Sequence, residues 1–306
     1  MGTPDFALPS LTGLLEGGEE VVSVYTQPDR PKGRGKKPAP SPVKERALSY
    51  HLPVFQPVSL KEKFVQDQLA EQKPDFLIVV AYGLILPQKV LNIPTWGAVN
   101  VHASLLPKYR GAAPIQWAII SGEKETGVTT MRLDAGMDTG DILLQEREPI
   151  RDTDTARSLH DRLAERGGRL LKETLARLRL GTLFPQSQDS LLATYAPPLK
   201  KNQGEIQWDL PAEKIDRQIR GLSPWPGAFT FWQGKRMLIH RAGLESSEIQ
   251  GTPGTIHSFQ GGTIQVKTGR GLLSLREVQI EGHRRISTQE LLRGFTIKVG
   301  DRLGLK

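Results

Sequence analysis

Gly97-Ala-Val-Asn-Val-His-Ala-Ser-Leu-Leu-Pro-Lys-Tyr-Arg-Gly-Ala-Ala-Pro-Ile-Gln-Trp-Ala-Ile119 decides how this 306-residue chain is read. Val99 and Val101 alternate with Asn100 and His102, so at a strand's two-residue period the amide and the imidazole leave the sheet on one face. Ser104, Leu105, Leu106 and Pro107 end the strand, and a helical pattern over Ala112 to Ile120 restarts behind Pro114, a good first-turn residue. This is a strand-loop-helix step, and in an open α/β sheet ligands bind beyond the carboxyl ends of strands.

An amide and an imidazole side by side suit a reaction in which negative charge appears on a carbonyl oxygen. The NH2 group donates to the oxyanion, and the imidazole donates or takes a proton near neutral pH. Asp138 is the best third partner. It lies in Asp134-Ala-Gly-Met-Asp-Thr-Gly-Asp141, a glycine-punctuated loop between the apolar runs Val128 to Leu133 and Ile142 to Leu144, from which a carboxylate could orient His102. By spacing alone this is the minority reading. A lone His near a strand end is more often structural, Asn100 could cap a turn, and Asp138 could be an Asx-turn residue.

The length predicts two domains. Hydrophobic residues make up 38% and charged residues 24%, ordinary for a globular protein, and the longest apolar run, Phe76 to Pro87, is too short to span a bilayer. Zero cysteines exclude disulfides and thiolate metal sites, and no metal is expected; a cytoplasmic protein is the simplest expectation. The net charge of +8 favours a polyanionic partner. Residues 203–306 hold 15 basic and 10 acidic residues, so the smaller C-terminal third carries most of the excess.

Gly2-Thr-Pro-Asp-Phe6 reads as the turn after a strand, leading into a helix over Pro4 to Leu15. Such a turn needs a strand in front of it and only Met1 precedes it, so the expectation is that the first strand is missing from this chain and the native protein begins several residues earlier. Strands are expected at Glu20 to Tyr25, Leu52 to Gln56 and Asp75 to Ala81, with helices at Val43 to His51, Leu60 to Gln72 and Asp154 to Leu180. Between Pro28 and Lys44 there are six basic residues, one acid and five prolines, which predicts an exposed loop with no strand interior. Gly181 to Lys201 has no sustained period and reads as a linker, closed by Lys200 and Lys201. Beyond it, a short helix near Ile215 to Gly221 and short strand-like runs at Phe229 to Trp232, Lys235 to His240, Gly254 to Ser258, Thr263 to Thr268 and Leu272 to Gln279 suggest a small barrel.

Asn100-x-His102, Ser104-Leu-Leu-Pro107, Arg110-Gly-Ala-Ala-Pro114 and Asp138-Thr-Gly140 together resemble the signature of formyltransferases that use 10-formyltetrahydrofolate. Gly2-Thr-Pro-Asp-Phe6, Thr26-Gln-Pro-Asp-Arg-Pro31, Pro40-Ser-Pro-Val-Lys44, Val54-Phe-Gln-Pro57, Val80-Ala-Tyr-Gly-Leu-Ile-Leu-Pro87 and Pro224-Trp-Pro226 narrow the resemblance to the methionyl-tRNA formyltransferase family, nearly end to end. Ala103 stands where many relatives carry Gly. The resemblance implies a doubly wound, Rossmann-like α/β catalytic domain over 1–183, a linker over 184–202 and an OB-like barrel over 203–306 that binds tRNA. It implies Asn100, His102 and Asp138 as the catalytic trio. Folate contacts would come from Tyr82, Gly83 and Leu84 on the pterin side and from Ser104, Leu105, Leu106 and Pro107. The acceptor stem of methionyl initiator tRNA would meet Arg34, Lys36 and Lys37 on the basic insertion and Lys200 and Lys201 on the linker, with Lys235, Arg236, Arg241, Arg284 and Arg285 as further contributors. A monomer in a bacterial cytoplasm is expected.

The nearest rival is formylation of a small acceptor, such as glycinamide ribonucleotide or an amino sugar, or hydrolysis of the formylfolate. Those relatives share the trio, and the basic insertion and basic second domain argue against them. A dinucleotide oxidoreductase is weak because no Gly-x-Gly-x-x-Gly follows an early strand. A nonenzymatic nucleic-acid binder would leave the Asn, His and Asp unexplained.

Overall fold

The computed structural model describes residues 1–32, 37–245 and 251–305. Two compact units result: one comprises Met1–Pro114, Glu125–Pro149 and His160–Ala196, the other Ile115–Lys124, Ile150–Leu159 and the chain from Pro197 onward. Among the described residues no helix is long and apolar enough to cross a membrane.

Along the first part of the chain run α1 (Leu8–Glu16), β1 (Val24–Tyr25), β2 (Arg30–Lys32), β3 (Lys37–Ala39), α2 (Pro42–Ser49), β4 (Val54–Phe55), α3 (Lys63–Glu71), β5 (Leu77–Val79), α4 (Gln88–Leu91), β6 (Ala98–His102) and β7 (Arg110–Gly111). Then follow α5 (Pro114–Ser121), β8 (Glu125–Arg132), β9 (Ile142–Pro149), α6 (Ala156–Arg179) and β10 (Tyr195–Ala196). β1 pairs with β4 in parallel, and a separate sheet has the order β5-β6-β8-β9. β6 runs parallel to β5 and antiparallel to β8, so the strand carrying Asn100 and His102 has one partner of each sense. Both faces of β6 are buried along its whole length. The apolar run through β5 supplies Leu77 and Val79 to a core with Tyr25, Leu60, Leu69, Tyr82 and Val90. On α6, Leu159, Leu163, Leu170, Leu171 and Leu175 are all buried, as their helical spacing requires.

Two expectations need correction. The strand read at Glu20 to Tyr25 is paired only at Val24–Tyr25. The proline-rich stretch holds a short antiparallel hairpin, β2 with β3, in which Pro31 faces Pro38. A two-stranded ribbon has free edges, and that is where prolines, lacking a backbone donor, are tolerated. Arg34, Lys36 and the side chain of Lys37 lie outside the described residues.

The second unit contains α7 (Ala212–Gly221), β11 (Ala228–Trp232), β12 (Lys235–Glu245), β13 (Ile256–Gln260), β14 (Thr263–Lys267), β15 (Leu272–Ile280), β16 (Ile286–Ser287) and α8 (Thr288–Gly294). The strands form an antiparallel sheet in the order β11-β12-β15-β14-β13, with β16 on β15. Its core gathers Ile215 and Ile219 of α7, Trp232, Met237, Ile239, Val266, Leu275 and Leu291. Trp208 is buried there as well, and its indole N–H donates to Thr230 Oγ1 at 2.9 Å, which removes the cost of an unpaired donor.

Candidate active site

Asn100 and His102 project from β6 on the same face, with only 8% and 6% of their surfaces exposed. Among the described residues none hydrogen-bonds the Asn100 carboxamide, so its NH2 group can donate to an incoming oxygen. His102 Nε2 lies 3.0 Å from Tyr109 O. A carbonyl only accepts, so Nε2 carries a proton and Nδ1 is the nitrogen that exchanges one. Nδ1 is 3.7 Å from Asp138 Oδ2, beyond hydrogen-bond range and close enough for the carboxylate to balance an imidazolium. The structure thus brings together all three residues.

Asp138 is held in an unusual backbone conformation. Its φ is +54°, in the left-handed region that non-glycine residues seldom occupy. Its Oδ2 accepts from the backbone N–H of Gly111 at 2.8 Å. Gly140 allows the loop to return tightly, because a Cβ there would fall 2.0 Å from Arg132 O. β7, which contains Gly111, is in turn paired with β10, so the segment after α6 comes back across the site.

The loop after β6 is pinned from below. Ser104 Oγ donates to Lys108 O at 2.6 Å, Thr129 Oγ1 donates to Ser104 O at 2.6 Å, and Gln145 Nε2 donates to Leu106 O at 2.8 Å. Ser104 and Leu106 are buried, which leaves Leu105 and Pro107 as the partly exposed side chains of that quartet. Tyr82 is also buried, and burial pushes its hydroxyl above the usual tyrosine range. Its carbonyl accepts from Thr3 Oγ1 at 2.9 Å and Gln27 Nε2 at 3.1 Å, while Gly83 is exposed and Leu84 half-buried.

The family model described as Formyl transferase matches residues 1–175, and that described as Formyl transferase, C-terminal domain, matches residues 198–296. A methionyl-tRNA formyltransferase of Pelotomaculum thermopropionicum is 49% identical over 305 residues, covering 99% of this chain and 97% of that protein. That of Geobacter metallireducens is 48% identical over 304 residues, with the same coverage. The chain belongs to the methionyl-tRNA formyltransferase family. Among solved structures, the sugar 3N-formyltransferase WlaRD, determined with dTDP and 5-N-formyl-THF, superposes with a TM-score of 0.68 at 20% identity, covering 92% of this chain and 97% of that one, a likeness of fold.

In this formyltransferase Lys200 and Lys201 are exposed, at the start of a one-turn helix over Lys201–Gly204. Arg236 of the second unit stacks over Phe229, its guanidinium carbon 3.9 Å from the ring centroid, so it is not a free surface cation. Arg285 pairs with Glu277. Sequence reading does not single out Gln188, whose carboxamide meets Asp138 O, Gly140 O and the Arg110 guanidinium. Gln188 lies in a proline-flanked, aperiodic stretch, and Arg110 was visible only as part of the family motif.

Proposed function

We propose that this chain transfers the formyl group of 10-formyltetrahydrofolate to the α-amino group of methionyl initiator tRNA. The carrying observation is the Asn100 carboxamide and the His102 imidazole on one buried face, with the Asp138 carboxylate 3.7 Å from His102 Nδ1. The uncharged amine attacks the formyl carbon, and charge builds on the formyl oxygen. Asn100 donates to that oxygen in a site largely closed to water, where such a bond is worth most. Collapse breaks the bond to the folate nitrogen, which gains a proton as the attacking nitrogen loses one. His102 is the group at hand to carry it, and Asp138 balances the imidazolium meanwhile. Folate would meet the side chains of Leu84, Leu105 and Pro107 and the backbone of Tyr82, Gly83, Ser104 and Leu106. Arg34, Lys36 and Lys37 of the basic insertion, and Lys200 with Lys201, would follow acceptor-stem phosphates.

Residues 1–183 make the catalytic domain, 184–202 the connection and 203–306 the tRNA-binding domain. The last is an OB-like barrel in this reading. Its support is the C-terminal segment, which lies along one edge strand with Ile256 N–H donating to Asp301 O at 2.8 Å and reaches the other with Gly304 N–H donating to Phe231 O at 2.8 Å. Met1 and Gly2 bridge β1 and the end of β5, through Gly2 N–H to Tyr25 O at 3.0 Å and Val80 N–H to Met1 O at 2.9 Å. The trio comes from one chain, in keeping with a monomer, and the bacterial relatives support a cytoplasmic setting.

Asn100→Ala or His102→Ala should lower kcat by roughly 10²–10⁴ without loss of folded protein, measured with purified tRNA and folate. Near-normal turnover in either variant refutes the assignment.

A further inference from the structure

The Gln188 carboxamide uses all its hydrogen-bonding capacity on the catalytic loop and its support. Nε2 donates to Asp138 O at 2.8 Å and to Gly140 O at 2.7 Å. Oε1 accepts from Arg110 Nε at 3.1 Å and from Arg110 Nη2 at 2.8 Å. The opposite orientation of the amide would set oxygen against two carbonyls and NH2 against a guanidinium, so the neighbours fix it. The flanking chain is anchored to the same loop: Gln186 and Ile142 exchange two backbone hydrogen bonds of 2.8 Å, and Ser187 Oγ donates to Asp141 Oδ1 at 3.0 Å. On the other side Arg110, only 3% exposed, precedes the Gly111 N–H that holds the Asp138 carboxylate.

We propose that Gln188 is a positioning residue for formyl transfer, clamping the carbonyls of Asp138 and Gly140 so that the Asp138 carboxylate faces His102. It acts through Asp138, whose backbone carbonyl its Nε2 holds. The clamp holds Asp138 at its φ of +54°, a conformation the residue would leave without an external tie. Both halves of the amide are needed: the oxygen accepts from the Nε and Nη2 donors of a buried guanidinium, and the nitrogen grips the loop.

Gln188→Glu separates these halves. It keeps the shape and an acceptor for Arg110, and removes both donors to the loop. This inference rests on the reading of Asp138 as the partner of His102, so Asp138→Ala and the double variant are measured alongside by single-turnover formylation. The expected result is a kcat at least about tenfold lower for Gln188→Glu, with KM for folate and tRNA within about twofold and the variant still folded at the assay temperature. In the Asp138→Ala background the same substitution should cost nothing further, because Gln188 acts through Asp138. A wild-type kcat, or an equal loss in both backgrounds, overturns the proposal while the trio stands. Normal turnover in Asp138→Ala overturns it together with the catalytic reading of Asp138. Should the glutamate variant fail to fold, Gln188→Asn, which keeps the amide but stops one methylene short, takes its place in the same cycle with the same expected outcomes.

Discussion

Glu148 on β9 is almost entirely buried between two arginines, and removing it tests how the α6 helix is tied to the sheet. Its side chain is 3% exposed; Arg162 Nε sits 2.7 Å from its Oε1, and Arg166 pairs with its Oε2 and also with Glu146. Burial pushes the Glu148 carboxyl up, but the hydrogen bonds and charges of Arg162 and Arg166 together outweigh this and hold it below the usual value. Glu148→Ala removes two charge-assisted hydrogen bonds, each worth about 1.5–3 kcal/mol. The arginines are 24% and 29% exposed and Arg166 keeps Glu146, so water and that partner recover part of the loss. The net destabilisation is then about 2–3 kcal/mol, a fall in Tm of about 5–10 °C at neutral pH by calorimetry. A carboxyl lowered in the folded state contributes stability that is present above its ordinary value of 4.5 and is lost as pH falls through the folded value. The gap between wild type and variant should therefore narrow below about pH 4.5. A Tm within 2 °C of wild type at pH 7, or a gap that does not shrink in acid, refutes the reasoning.

Gly140→Ala places a Cβ where Arg132 O leaves only 2.0 Å, so the loop bearing Asp138 must shift. A displacement of about 1 Å at such a site costs roughly 10² in kcat, with KM nearly unchanged, which steady-state kinetics will show. Replacing Lys200 and Lys201 together by Ala should leave kcat intact, raise KM for tRNA, and flatten the dependence of log KM on log salt by about 1–2, as expected for one or two lost phosphate contacts.

Much of the site was written locally in the sequence. The alternation around Asn100 and His102 was enough to put both on one face, since a strand's period leaves no other choice. The glycines flanking Asp138 marked a tight loop, and the leucines of α6 marked its inner face. What joined these pieces was not local. Gln188 is 50 residues from Asp138 and 78 from Arg110, and nothing in its polar, aperiodic surroundings distinguishes a clamp from a tether. The antiparallel sense of β8 beside β6 was likewise hidden, because a strand buried on both faces reads the same whichever way its neighbour runs. The β2–β3 ribbon escaped notice for a different reason: its prolines argue against strand interiors, and this ribbon has none.

The acceptor is the central claim, and one assay addresses it. Purified protein is mixed with 10-formyltetrahydrofolate and, in separate reactions, methionine-charged initiator tRNA, an amino-sugar nucleotide or glycinamide ribonucleotide, across a salt series, with formylated product and free formate both quantified. The account predicts formylmethionyl-tRNA as the product, formed with an apparent tRNA affinity that weakens as salt rises. Consumption of the folate with the tRNA left unformylated, whether the formyl group appears on a small acceptor or as formate, would contradict it.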